Sequence, residues 1–411
     1  MRSAGRRPPS RGRVVPVGSI GLRHVVLPLI AALLAGCATV PLDAARSYYR
    51  AGRPDRAGEL LATAIPADHR DRVLLLMERG MVRHVLGRYE ESSRDWIDAA
   101  ERIAELETYS LSRGAGSLVL NDKIQFYRGV PFEWSLLHAL TALNHFQLGR
   151  WDEAGVEARR VVEVLERSEQ YGFPPDAFSA YVAGVALELA DDPSNAALLY
   201  RRAATSAPPG IVVSEQGWIA PAPPGHTGGA AQASKPAPVP DHGGQLICFA
   251  LLGQRTPPYA MTSYVEIRVD GRTLGRSYML GDTHQLAVAT DQRLAALRAA
   301  KTATRLVIKE VIVQSVEHNT DSPALAALLR WVLWSLEKPD TRAWETLPRF
   351  LHAARVPCPA SRNRIEVVFH SAGGGVARTV EVERPPPRRG HIWVLVVNDR
   401  LGLRPAPSRS N

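Results

Sequence analysis

His138 and His145 stand seven residues apart, so on a helix both project to one side and could in principle share a metal ion. Neither has a carboxylate at i+3 or i+4 to complete a coordination set, and two imidazoles alone make a poor site. Packing or surface roles are the alternative for both. Cys248 lies inside the apolar run Gln245 to Leu252, where burial keeps a thiol protonated and inert. A Gly-x-Ser-x-Gly elbow, a P-loop and a His-Glu-x-x-His helix are all missing from the 411 residues. No catalytic residue, metal or cofactor is therefore assigned.

Binding chemistry has better candidates. Asn121, Asp122 and Tyr127 fall in the stretch Ala104 to Pro131, where Gly114, Gly116 and Gly129 break helical periodicity. Loops inserted in a rigid scaffold often carry binding groups. Asp122 also reads as the cap of a helix starting at Lys123, and that reading is preferred. Glu157, Arg159 and Arg160 offer charges for pairing between helices, with Glu157 as partner to a groove arginine. A catalytic or carbohydrate-binding cleft in the C-terminal part would need Asp340, Arg342 and His352 to converge. No paired carboxylates at a recognisable spacing support one. Asp340 or Thr341 reads as the cap of a helix over Thr341 to Ala354, and Trp331, Trp334 and Trp344 read as core.

The N-terminus carries the most specific signal. Arg2, Arg6, Arg7, Arg11, Arg13 and Arg23 precede an apolar run of about ten residues, Val25 to Leu34, with no acidic residue among the first 36. That run is too short to span a bilayer and suits a signal-peptide core. Leu34-Ala35-Gly36-Cys37 follows and resembles the bacterial lipobox. The resemblance implies that Cys37 is lipidated and begins the mature chain, and three acyl chains would hold it firmly on a membrane. Ala38, not Asp, follows the cysteine, which implies sorting to the outer membrane. Six of the nine excess positive charges lie in this leader, leaving +3 downstream. No long basic block remains there, so nucleic acid is not an expected partner.

The elements that must position these residues begin with a repeat. Ala51 to Ala57, Leu86 to Ser92, Leu148 to Ala154 and Ala190 to Ala196 share one pattern: Gly or Asp, an aromatic residue or Pro, two polar residues, then a small residue. Gly permits the left-handed backbone that ends one helix, and the small residue lets the next approach closely. The pattern resembles the turn of a tetratricopeptide repeat. Ala64, Ala99, Val161 and Ala203, seven residues further on, fit the packed face of each second helix. Spacings of 35, 62 and 42 residues leave an insertion in the middle repeat. Stacked repeats bury one another's apolar faces, so four make a short solenoid.

Hydrophobic residues form 45% of the chain, enough for a substantial core across two or three domains. The expected fold class is α+β: a leader over 1–36, an all-α solenoid over 37–208, a Pro/Gly/Ala-rich linker or loop over 209–244, a smaller mixed domain over 245–400 and a disordered tail over 401–411. Gln245 to Leu252, Ser263 to Val269, Arg364 to Phe369 and Ile392 to Val397 read as strands. Helices are expected at Asp291 to Val316, Asp321 to Leu336 and Thr341 to Ala354. Cys248 and Cys358 could form one disulfide or stay as two buried thiols.

Two longer signatures carry a family resemblance. One runs Asn121-Asp122-Lys123-Ile124-Gln125-Phe126-Tyr127-Arg128-Gly129, then Glu133, His138, Ala142-Leu143-Asn144, Leu148-Gly149 and Val156-Glu157-Ala158-Arg159-Arg160. The other is Asp340 to Pro348 with Ala354-Arg355-Val356. In that order they resemble an uncharacterised family of bacterial envelope lipoproteins with a tetratricopeptide-like N-terminal half. Pro357-Cys358-Pro359-Ala360 departs from the Pro-Gly turn of that family. The resemblance implies an anchored periplasmic protein linked to cell-envelope or peptidoglycan assembly. The expected role is a non-enzymatic scaffold whose concave repeat face binds a peptide or protein through Asn144, Arg159 and Arg160, with Asn121 and Tyr127 from the insertion. The competing expectation is an envelope enzyme or carbohydrate-binding module using the C-terminal domain.

Overall fold

The computed structural model describes residues 41–112, 126–223, 243–255, 262–297, 341–359, 364–382 and 386–400, the side chains of 108–112 excepted. Among the described residues, eight helices come first: α1 (Leu42–Arg50), α2 (Pro54–Leu60), α3 (Arg72–Val85), α4 (Tyr89–Ser112), α5 (Pro131–Gln147), α6 (Trp151–Gln170), α7 (Ala177–Leu189) and α8 (Pro193–Ser206). Each packs on its neighbours in sequence. The four anticipated turns join α1 to α2, α3 to α4, α5 to α6 and α7 to α8. Gly52, Gly87 and Gly149 have φ of 72°, 75° and 67°, and Asp191 adopts the same left-handed backbone at 62°. Asp tolerates that region better than most residues, which is why it can replace Gly.

Ala57, Ser92, Ala154 and Ala196, the small residues after the turns, are all buried, as are Ala99, Val161 and Ala203. Ala64 is not. Helix α2 ends at Leu60, and Ala64 is exposed in the chain leading to Pro66. A proline disfavours helical backbone in the residue before it, so the second helix of this pair stops early.

The segment expected as a linker or surface loop begins with a hairpin, β1 (Ile211–Val213) paired antiparallel with β2 (Ile219–Pro221). Val212, Val213 and Trp218 are buried, enough apolar surface to fold these residues against the helices. Residues 224–242 of that stretch, and the 401–411 tail, lie outside the described residues.

Two sheets follow. The first has the order β10 (Arg388–Arg389), β11 (Ile392–Asn398), β3 (Gly244–Leu252), β7 (Phe350–Cys358), β6 (Tyr278–Asp282); β11 and β3 are parallel and the other pairs antiparallel. The second is antiparallel throughout: β5 (Arg272–Arg276), β4 (Thr262–Val269), β8 (Ile365–Ser371), β9 (Val376–Glu381). Side chains alternate along each strand. Leu246, Cys248, Ala250 and Leu252 of β3 join Val265, Ile267, Val269, Val367 and Phe369 in the core between the sheets. The opposite face of β3 meets the helices: Phe249 lies 6.0 to 6.2 Å from the rings of Phe146, Phe178 and Tyr181. The chain is thus a mixed α+β protein in three layers. A further helix, α9 (residues 283–297), follows β6, so helices are not confined to the N-terminal half.

The four anticipated strands form. The helix anticipated over Thr341 to Ala354 does not: 341–349 is irregular and β7 begins at Phe350. Its even-numbered residues face the second sheet and its odd-numbered ones face the helices. A strand buried on both sides has no polar face to reveal its period of two. Pro348 would also have broken the interior of such a helix. Of the other two anticipated helices, 298–340 lies outside the described residues.

Cys248 and Cys358 are buried and not joined by a disulfide. In register, Cys248 faces Ala354 and Cys358 faces Gly244, four positions away. At about 3.3 Å per residue that separation is beyond disulfide reach.

Candidate functional site

Helices α1, α3, α5 and α7 form the inner side of the helical layer, and the chain itself fills that side. Residues 342–346 run as a strap across α1, α3 and α5, held by two buried carboxylates. Glu78 of α3 accepts hydrogen bonds from the backbone N–H of Glu345 (2.9 Å) and Thr346 (3.1 Å), and from the Arg46 guanidinium (2.8 Å). Glu133 of α5 accepts the backbone N–H of Trp344 (2.9 Å), the Tyr127 hydroxyl (2.6 Å) and the backbone N–H of Val130 (3.2 Å). Arg255 adds an ion pair to Glu133 at 3.4 Å. Both carboxylates are essentially inaccessible, at 0% and 1% exposure, and every bond they make is to a donor. Beneath the strap, Trp344 meets Trp96 edge-on with 5.9 Å between ring centres. The two family-like signatures therefore meet: Glu133 of the first, itself bonded by Tyr127, holds Trp344 of the second, and Arg342 lies over the Tyr127 ring at 5.5 Å.

The outer side is open. Between α4, α5 and α6 lies a cavity of about 270 Å³ with a largely apolar floor of Ala100, Ile103, Ala104, Trp134, Leu137 and Val164. Its rim is charged. Arg167 bridges Glu107 (2.7 Å) and Glu163 (3.2 Å) and so ties α4 to α6. Arg160 pairs with Glu157 at 3.1 Å, and Glu157 also receives His138 Nδ1 at 2.7 Å. His138 lines the cavity, oriented by a carboxylate as a general base would be. No Ser, Thr or Cys is among the described residues lining it. Among the described residues no group of three His, Cys, Asp or Glu could hold a metal.

The sequence candidates scatter across this architecture. Cys37, Asn121, Asp122 and Asp340 lie outside the described residues. Tyr127 is not a surface contact: it is buried against Glu133, and burial with that carboxylate pushes its hydroxyl pKa well above the usual value. Asn144 is not in a groove either. It is fully buried, joining His84 (2.6 Å) on α3 to the Ser92 hydroxyl (3.0 Å) on α4. Its amide pins two helix pairs together. Arg160 lines the outer cavity, whereas Arg159, exposed on α6, is not among its lining residues and acts electrostatically on Asp192 before α8.

Arg342 and His352 do not converge. Arg342 pairs with Asp71 on the helical side, whereas His352 is buried between the sheets with Nδ1 at 3.2 Å from the Ser277 hydroxyl. Desolvation lowers the His352 pKa to about 3, so it stays neutral. Cys248 is held protonated, its pKa raised by burial to about 12.

From the sequence Glu78 goes unnoticed, and Glu133 has no role beyond its place in the first signature. Both sit inside apolar runs, Leu74-Leu75-Leu76-Met77-Glu78 and Phe132-Glu133-Trp134. A carboxylate in that setting must find buried donors, and this was the available signal. A comparison with models of known protein families finds none that matches this chain, and no curated protein matches it.

Proposed function

We propose that this chain is a lipid-anchored scaffold facing the periplasm, held on the outer membrane through Cys37, whose tetratricopeptide-like helix pairs capture a protein or peptide partner during envelope assembly. The preformed cavity between α4, α5 and α6 carries the reading. It sits on a stack of helices whose geometry is fixed by buried polar links, so little ordering is needed on binding. The strap occupies the inner face, which leaves the outer cleft as the surface for a partner and moves Asn144 and Tyr127 from binding to support. Arg160 remains at the cleft edge, whereas Arg159 lies outside it. The leader, short apolar run and cleavage tetrad support the anchor.

Two measurements test the reading. Labelling with a palmitate analogue should mark the native protein and not Cys37→Ala; equal labelling would remove the anchor. A photo-crosslinking amino acid at position 101 should give a discrete adduct in intact cells, and one at position 201 on α8 should not. Equal yields at both positions would remove the cleft.

A further inference from the structure

The charge of the chain is unevenly spread. Residues 89–112 of α4 hold seven acidic and two basic residues, and residues 151–170 of α6 hold six and three, a net −8 in a chain whose formal charge is +9. These are the two helices that wall the outer cavity. The arginines on its rim are already engaged, Arg160 by Glu157 and Arg167 by Glu107 and Glu163. Glu101 has no ion-pair partner among the described residues, and Glu163 keeps 70% of its side chain exposed. The floor between these carboxylates is apolar. Among the described residues lining the slot three glutamates face two arginines, and Glu101 is the glutamate left without an ion-pair partner; an apolar slot with this acidic excess complements one kind of ligand surface.

We propose that the cleft binds a basic amphipathic segment of its partner, one that places an apolar side chain in the cavity and lysines or arginines against Glu101 and Glu163. This rests on the scaffold reading and names the chemistry of the captured segment. Acidic walls steer cationic segments and repel acidic ones, while the apolar floor rewards a side chain in register with the positive charges. The cavity, at about 270 Å³, has room for one or two large apolar side chains and none for a whole helix. The segment therefore lies along the cleft and inserts only its anchor.

The test titrates residues 38–411 against a fluorescent helical peptide of about 18 residues, five turns, built from Leu and Lys with the leucines on one face. One counterpart replaces Lys with Glu; another keeps the composition in scrambled order. Only the amphipathic basic peptide should raise anisotropy at low concentration, and about 0.5 M salt should weaken it. Glu101→Lys with Glu163→Lys should weaken binding about tenfold or more. Ala100→Phe changes no charge but fills the half-buried cavity wall, and should weaken binding by a similar factor. That variant separates the cleft from diffuse attraction to an acidic surface, and its urea midpoint checks that it folds.

Binding of the acidic or scrambled peptide as tightly, or binding unchanged in both variants, overturns the proposal. Self-association of the chain that Ala100→Phe abolishes would give the cleft to a second copy and also overturn it. An in-cell adduct from position 101 that maps to an acidic segment leaves the scaffold standing and removes only this inference.

Discussion

A side-chain oxygen of Glu133 accepts the backbone N–H of Trp344 at 2.9 Å, across 211 positions of sequence. Because Glu133 also serves Tyr127, Val130 and Arg255, removing its carboxylate strands several buried donors together. Breaking a buried charge network in this way costs about 3–5 kcal/mol. Glu133→Ala should therefore lower the urea midpoint far more than Glu101→Ala on the exposed face of α4. Glu133→Gln, which keeps an acceptor, should lose part of that amount. Equal midpoints for Glu133→Ala and Glu101→Ala would show that the strap does not depend on this contact.

The helical half was readable because its signals are local. Each turn is encoded by one residue able to adopt positive φ and one small residue five positions later, in the first turns of the next helix. The strap and β7 were not readable, because what holds them is remote. Glu78 and Glu133 bond to backbone N–H groups, which every residue type supplies and no motif marks. Arg355, on the helical face of β7, is fixed by two bonds to Glu188, at 2.8 and 2.6 Å, 167 positions away. Strand register decides the cysteines: the same two thiols would be bridgeable if β3 and β7 were shifted by four residues.

Buried histidines give the fold a pH dependence of definite sign. Desolvation lowers His84 from 6.5 to about 4 and His352 to about 3. As pH falls below 6.5 the unfolded chain takes up protons at both positions while the folded chain does not. Stability is therefore full above that pH and is lost as pH falls toward the folded values, by up to about 1.4 kcal/mol per pH unit for each histidine. Asp176 and Asp399, raised by burial, act in the opposite sense at the acid end. The readout is thus a difference between proteins: His352→Gln should show a shallower fall in urea midpoint than the wild type between about pH 7 and pH 5. Parallel curves would mean that His352 already titrates in the fold.

Thiol chemistry should follow burial. Cys248 and Cys358 lie between the sheets and are shielded from reagent, so neither should react with a chromogenic disulfide in the native state. Both should react in guanidinium without added reductant. A native protein that releases chromophore at once, or a denatured one that shows no free thiol, would contradict the register of β3 and β7.

Gly80 on α3 should behave against the usual trend. Glycine inside a helix costs about 0.5–1 kcal/mol relative to alanine, so Gly→Ala normally stabilises. Here a Cβ would sit 2.3 Å from Nε1 of Trp96. The indole cannot retreat freely: its N–H donates to the Met77 carbonyl at 3.1 Å and its ring abuts Trp344. Gly80→Ala should therefore destabilise by about 1–3 kcal/mol, the cost typical of overpacking. Pairing it with Trp96→Leu, which vacates the space, should make the two changes less than additive by at least about 0.5 kcal/mol in a double-mutant cycle. Urea midpoints for the four proteins measure this. A Gly80→Ala protein more stable than the wild type would show that α3 and α4 are not in such close contact beneath the strap.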